Sequence, residues 1–273
     1  VYDMNQETIY VYPNGKEDII YSMPNSVKTV ADYAFYGNNK LKYIEMSNGT
    51  TTIGMRSFYG VNQVRSITIE STLTSIKKEA FKEMTTMKTF VYMGNSIPEC
   101  GDNVFPENNE LEAILIKQEI QTDKTNMSNK VISKEIIESG KTGETMRYII
   151  NNKNDMKIYG IGLMGTTTIM NVNNAINVEI DEGITSVSIL MQQLKEMTTC
   201  KLPSTLTTIN TESFQECIKL QSITIPTSVT TIGTGVFGGC TSLTTIEVET
   251  MNAQYKSING VLYNRTTNEN GTM

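Results

Sequence analysis

Ile225-Pro-Thr-Ser-Val229-Thr-Thr-Ile232-Gly-Thr-Gly-Val-Phe237-Gly-Gly-Cys240-Thr-Ser-Leu243-Thr-Thr-Ile246-Glu-Val248 decides the fold, because its pattern recurs along the chain with a period of 23 residues. The copy before it places Leu202, Pro203, Leu206, Ile209, Phe214, Cys217, Leu220, Ile223 and Ile225 at the same phases. Near the N-terminus the frame is filled by Met23, Pro24, Val27, Val30, Phe35, Leu41, Ile44 and Met46. A fixed period of this length marks a supersecondary unit that buries its apolar face only by stacking on its neighbours.

Each unit closes on the pattern L-x-x-I-x-I, whose last three positions alternate as a half-buried strand does. The matches are Leu41/Ile44/Met46, Val64/Ile67/Ile69, Met87/Phe90/Tyr92 and Leu111/Ile114/Ile116, then Ala175/Val178/Ile180, Met197/Cys200/Leu202, Leu220/Ile223/Ile225 and Leu243/Ile246/Val248. Pro24, Pro203 and Pro226 follow at one phase, where a strand ends and no ladder donor is required. Head-to-tail linkage makes neighbouring strands parallel, about 4.8 Å apart. Phe35, Phe58, Phe81, Phe105, Phe214 and Phe237 mark the return segments and are expected to stack into an internal spine. The short stretch before each Phe suits one helical or 3₁₀ turn. The spacing slips to 24 between Tyr92 and Ile116 and to 22 between Ile180 and Leu202, where Met191 takes the Phe position and the prolyl turn is missing.

Composition narrows the chemistry. The 273 residues carry a net charge of -6, which argues against nucleic acid, whose phosphates need clustered Lys and Arg. There is no run of 18 apolar residues and no signal-like start, so no direct membrane insertion is expected of this segment. With no His, the chain has no Ser-His-Asp triad, no Cys-His pair and no His-liganded metal. Trp is absent too, so any stacking platform for sugars must come from Tyr. Cys100, Cys200, Cys217 and Cys240 form no C-x-x-C pair, which makes a structural zinc site unexpected. Cys217 and Cys240 share a phase one repeat apart, so their side chains point the same way and are expected to be free, buried thiols. The expected catalytic, cofactor and metal residues are none.

The proline, the V-x-x-I step and the A-F-x-x-C-x-x-L-x-x-I run, carried by Pro24 to Ile44 and by the copies over 202–248, resemble the BspA-like, Treponema-type leucine-rich-repeat family. The resemblance implies an α/β repeat solenoid: a leucine-rich-repeat superhelix with a concave parallel β-sheet, short helical or 3₁₀ turns on the convex side, and capping β-hairpins. Residues 93–117 look like the closing turn of an array, and 139–164 like the β-hairpin that opens a fresh one. Residues 8–16 and 252–263 look like two halves of one inserted hairpin unit. The expected organisation is therefore the end of a first array over 1–117 (an entry hairpin plus repeats), a cap or linker over 118–138, and the start of a second array over 139–273. It reads as a window from a longer protein. Hairpins near 8–22 and 148–159 are expected to protect sheet edges.

On the solvent face of the sheet two columns are expected in register. One holds Tyr43, Ser66, Thr89 and Ala113, then Asn177, Thr199, Ser222 and Thr245; the other holds Glu45, Thr68, Val91 and Leu115, then Glu179, Lys201, Thr224 and Glu247. Rigid solenoid sheets offer large surfaces at little ordering cost. Against this stands the plain reading that Thr and Ser simply suit the wet face of a strand. Sequons stand at Asn48, Asn126, Asn264 and Asn270.

The resemblance implies a cell-surface or secreted protein, with signal and anchor outside this segment. It further implies non-enzymatic cell adhesion through a protein ligand, such as an extracellular-matrix or host-surface protein, with a glycan as a further class. Two other readings stand beside it: an accessory substrate-binding module of a larger secreted enzyme, and a structural spacer or scaffold.

Overall fold

The structure is a computed structural model and describes residues 1–71, 73–106, 111, 113–117, 135–142, 145–165 and 172–265. Contacts divide the chain into two compact units, Val1–Ile137 and Glu138–Met273. Each has its own apolar core. Of the expected linker, residues 118–134 lie outside the described residues, as do Asn126 and Asn270.

In the first unit each coil carries two strands, not one. Long strands at Tyr43–Glu45, Ser66–Ile69, Thr89–Tyr92 and Ala113–Lys117 follow the L-x-x-I-x-I motif, and Ile20–Ser22 precedes them in the same phase with Asp18 at its first position. Short strands at Thr8–Ile9, Thr29–Val30, Thr52–Ile53, Ser75–Ile76 and Glu99–Cys100 form a second parallel sheet, in chain order. The register of the long strands follows the repeat: Ser66 pairs with Thr89, Thr89 with Ala113, Thr68 with Val91 and Val91 with Leu115.

The second unit opens on an antiparallel hairpin, Met146–Asn151 with Asp155–Gly160. The Asp155 strand then pairs in parallel with Asn177–Ile180, which pairs with Thr199–Lys201. Ser222–Ile225 pairs in parallel with Thr245–Val248. Short strands at Gly162–Leu163, Ile184–Val187, Thr208–Ile209 and Thr231–Ile232 build its other sheet. A second hairpin, Tyr255–Ile258 with Val261–Asn264, lies in the 252–263 segment.

The Phe spine forms. Phe35–Phe58, Phe58–Phe81 and Phe81–Phe105 stack at 5.0, 5.3 and 5.7 Å with interplanar angles of 10° to 11°. Phe214–Phe237 stack at 5.7 Å. Met191 substitutes for Phe in its coil and is fully buried. Tyr12, unnoticed as a repeat residue, extends the spine by stacking on Phe35 at 5.4 Å. Its hydroxyl, desolvated by burial, donates to Asp18 at 3.0 Å.

Two expectations need correction. Residues 8–22 are not a hairpin: Thr8–Ile9 pairs with Thr29–Val30 and Ile20–Ser22 with Tyr43–Glu45, both parallel, so the segment is a full coil. The return segments are also not, in general, helical. Among the described residues 3₁₀ helix occurs at Val172–Asn174 and Ile189–Gln193, and the other returns are turns. The physical reason is repeated in each coil that carries a spine Phe. The residue two before the spine Phe is left-handed in Tyr33, Arg56, Glu79, Asn103, Glu212 and Gly235, with φ between 50° and 65°. So is the residue two after it in Gly37, Gly60, Glu83, Glu216 and Gly239. A left-handed residue at both flanks breaks helical hydrogen bonding on either side of the Phe.

Candidate functional site

The long-strand face of the second unit is the exposed part of the expected surface. Asn177, Thr199, Lys201, Ser222, Thr224 and Glu247 are exposed there, and Glu179 and Thr245 are half-buried. Their columns stand in the expected register, Asn177 beside Thr199, Glu179 beside Lys201, Ser222 beside Thr245 and Thr224 beside Glu247.

Part of this face is already bonded within itself. Thr199 Oγ1 donates to Asn177 Oδ1 at 2.8 Å, and Asn177 Nδ2 donates to Asp155 Oδ1 at 2.9 Å. Asn151 Nδ2 completes the row by donating to Asp155 Oδ2 at 3.0 Å. Lys201 Nζ lies 2.9 Å from Glu179 Oε1, an exposed pair of small energetic weight. Asp155 and Lys157 thus extend the two columns by one strand, pairing with Asn177 and Glu179. The signal was present in the sequence, since each precedes its partner by 22 residues. It was masked because the same strand also pairs antiparallel with Met146–Asn151.

Beyond Lys201 the situation changes. Ser222, Thr224, Thr245 and Glu247 have no side-chain partner among the described residues. Ser222 and Thr224 alternate with the buried Ile223 and Ile225, whereas Thr245 and Glu247 stand on the paired strand, whose inward Ile246 and Val248 are half-buried.

The first unit departs from expectation. Tyr43 is 6% exposed, Thr89 1% and Val91 0%, so these three offer no ligand contact as they stand. Leu115 beside Val91 is equally buried, and this apolar pair leaves water as its composition requires. Thr89 is carried under with it, and its Oγ1 is buried without a hydrogen-bond partner among the described residues. Glu45, Ser66 and Thr68 are half-buried.

The thiols are free, as their phase suggests, but only Cys217 is buried and Cys240 is half-buried. Cys217 Sγ donates to the Met191 carbonyl at 3.1 Å, and Cys240 Sγ to the Phe214 carbonyl at 3.0 Å. Each therefore ties its coil to the backbone of the preceding spine residue. Burial pushes the Cys217 thiol up to about 12, which keeps it protonated and unreactive at neutral pH. Among the described residues no group of three or more His, Cys, Asp or Glu is placed to hold a metal ion. No described helix is long and apolar enough to cross a membrane.

Six copies of a family model described as the BspA type leucine rich repeat region match residues 17–136 and 164–269. No curated protein matches the chain significantly. Among solved structures the chain is similar to a leucine-rich repeat protein from Eubacterium ventriosum, at 22% identity and a TM-score of 0.36, over 96% of this chain and 52% of that one. It is also similar to a leucine rich cell surface protein from Faecalibacterium prausnitzii, at 19% identity and a TM-score of 0.33, over 98% and 56%. The pneumococcal vaccine antigen PcpA aligns at 15% identity and a TM-score of 0.31, over 90% and 66%. The chain spans about half the length of the first two.

Proposed function

The chain belongs to the BspA-type leucine-rich repeat family, and from that premise we propose that it is a non-enzymatic adhesion module of a surface-exposed or secreted protein. Its ligand is a protein of the extracellular matrix or of a host cell surface. It is held on the long-strand face of the second unit, around Ser222, Thr224, Thr245 and Glu247, with Lys201 at the margin.

One observation carries this reading. Four polar side chains stand in register on a parallel strand pair, and none is engaged within the described residues, whereas the neighbouring rows are closed by their own hydrogen bonds. Pre-ordered donors and acceptors of this kind bind at low entropic cost. The half-buried part of the first unit contributes little to such a surface.

The test is surface plasmon resonance of the purified chain over immobilised collagen, fibronectin, fibrinogen and laminin at physiological salt. The variant Ser222→Arg/Thr224→Arg fills the patch while leaving the core alone, and surface changes of this kind stay within about 0.5 kcal/mol of the parent in stability. Saturable binding to one of the four, lost in the variant, supports the proposal. A folded chain that binds none of them, or a variant that binds as the parent does, moves the reading to a spacer.

A further inference from the structure

The turn side of the first unit carries a row of aromatic rings that the fold does not require. Tyr36 and Tyr59 stack at 5.2 Å with 10° between their planes, and Tyr33 leans on Tyr36 at 5.7 Å. Tyr33 is 43% exposed and Tyr36 44%. These residues fill two positions of the repeat, two before and one after the spine Phe. The second unit fills the same positions with Glu212 and Gly235, and with Gln215 and Gly238. The next coil of the first unit fills them with Glu79 and Lys82. The turn therefore accepts small or polar residues at both sites. Tyr is also a costly choice at the first of them, since Tyr33 holds φ at 61°, which costs a non-glycine residue about 1 kcal/mol or more.

Cations border the row. The Arg56 guanidinium lies over the Tyr59 ring, 5.5 Å from its centroid, and its Nε donates to Glu79 Oε2 at 2.5 Å. Glu79 is nearly buried and is also approached by Lys82 at 3.7 Å. Asp32, the other carboxylate at the row, accepts from the Met55 amide at 2.7 Å and faces Lys77 at 3.7 Å. Asp32 and Glu79 are thereby paired with Lys77, Arg56 and Lys82, and exposed Lys78, outside these pairs, is the cation that an incoming group meets first.

We propose that the Tyr33–Tyr36–Tyr59 row is a second binding surface, and that it takes an acidic carbohydrate. Aromatic rings present a low-entropy apolar surface for the C–H faces of a sugar ring. Lys78 supplies charge-assisted donors to its carboxylate, beside the already paired Arg56 and Lys77. In a chain without Trp, exposed Tyr33 and Tyr36 and half-buried Tyr59 offer such a surface on the first unit. The row climbs from one coil to the next, so an extended polysaccharide can lie along it. This site is separate from the protein-binding patch proposed above and stands or falls without it.

The test is isothermal titration of the whole chain with a hyaluronan octasaccharide, which carries a uronate in every disaccharide, and in parallel with neutral cellohexaose. The variant Tyr33→Gly/Tyr36→Gln installs residues that the second unit already carries at these positions, so it is expected to fold. Its circular dichroism and urea midpoint are recorded alongside. The proposal expects saturable binding of the hyaluronan oligosaccharide and at least tenfold weaker binding of cellohexaose. It expects at least tenfold loss in the tyrosine variant, a roughly threefold loss in Lys78→Ala, and no change in Ser222→Arg/Thr224→Arg. No binding of either sugar overturns it, as does equal binding by the folded tyrosine variant. Equal affinity for the neutral sugar overturns the acidic assignment.

Discussion

Removing one spine ring from the second unit should cost far more at Phe214 than at Phe237, although the two rings hold the same repeat position and stack on each other at 5.7 Å. Phe214 is 0% exposed, whereas Phe237 is only partly buried against the same core. Truncating a fully buried Phe to Ala withdraws roughly 120 Å² of apolar surface from the core, worth about 3 kcal/mol at about 25 cal/mol/Å². The cavity left between two coils raises the total to about 3–5 kcal/mol. At Phe237 roughly half of that surface is lost and the gap opens to water, so about 1–2 kcal/mol is expected. Solenoid stability is close to a sum of neighbour terms, and an outer coil has fewer neighbours to lose. The assay is urea denaturation followed by far-ultraviolet circular dichroism. With a slope of about 2 kcal/mol/M, Phe214→Ala should lower the midpoint of the second unit by roughly 1.5–2.5 M and Phe237→Ala by less than about 1 M. Equal shifts, or a larger one for Phe237→Ala, would refute the argument that burial by a following coil sets the value of each ring.

Thr89→Val should stabilise the first unit by about 1 kcal/mol, because it removes a buried hydroxyl that has no partner among the described residues while keeping the shape of the side chain; a lower urea midpoint would show that the hydroxyl is satisfied. Glu212→Gly should stabilise the second unit by about 0.5–1 kcal/mol. The left-handed cost of Glu at φ 58° is about 1–2 kcal/mol, and the added chain freedom of Gly in the unfolded state takes back about 0.5–1 kcal/mol. A fall in the thermal midpoint would contradict the assignment of strain at this turn. Stability should be level at neutral pH and decline between about pH 9 and pH 12. Burial raises the Tyr12 hydroxyl from 10.0 to about 12 and the Cys217 thiol from 9.0 to about 12. The unfolded chain therefore releases these protons first, and ionisation pulls it away from the folded state as pH rises. Urea midpoints at pH 8 and pH 11 check this, with Tyr12→Phe expected to reduce the loss in the first unit.

Much of the architecture can be read from residue spacing because a solenoid repeats one local problem. Ile67, Phe90 and Ile114 pair across strands in the expected register, and Phe58 meets Phe35 and Phe81 as their phase requires. Even Tyr12 stood at the right distance from Phe35, 23 residues earlier, and was hidden only by its different ring. The double-turn form of the return segments was less legible. Glu and Arg favour helix by propensity, yet Arg56, Glu79 and Glu212 are held left-handed by backbone bonds to the next coil, such as Arg56 N to Lys78 O at 3.1 Å. The second sheet was missed for a related reason. Two-residue strands such as Thr52–Ile53 have no alternation long enough to register as a pattern.

The sequence by itself determined the period, the parallel strand register, the spine and the family, because each depends on residue type at a fixed distance along the chain. Tertiary structure alone decided which outward-facing residues meet water. Thr89 and Thr224 follow the same short-range rule and both belong to long strands, yet one is buried and the other exposed. Exposure depends on what packs over a strand from elsewhere in the chain, and no repeat of 23 residues encodes that.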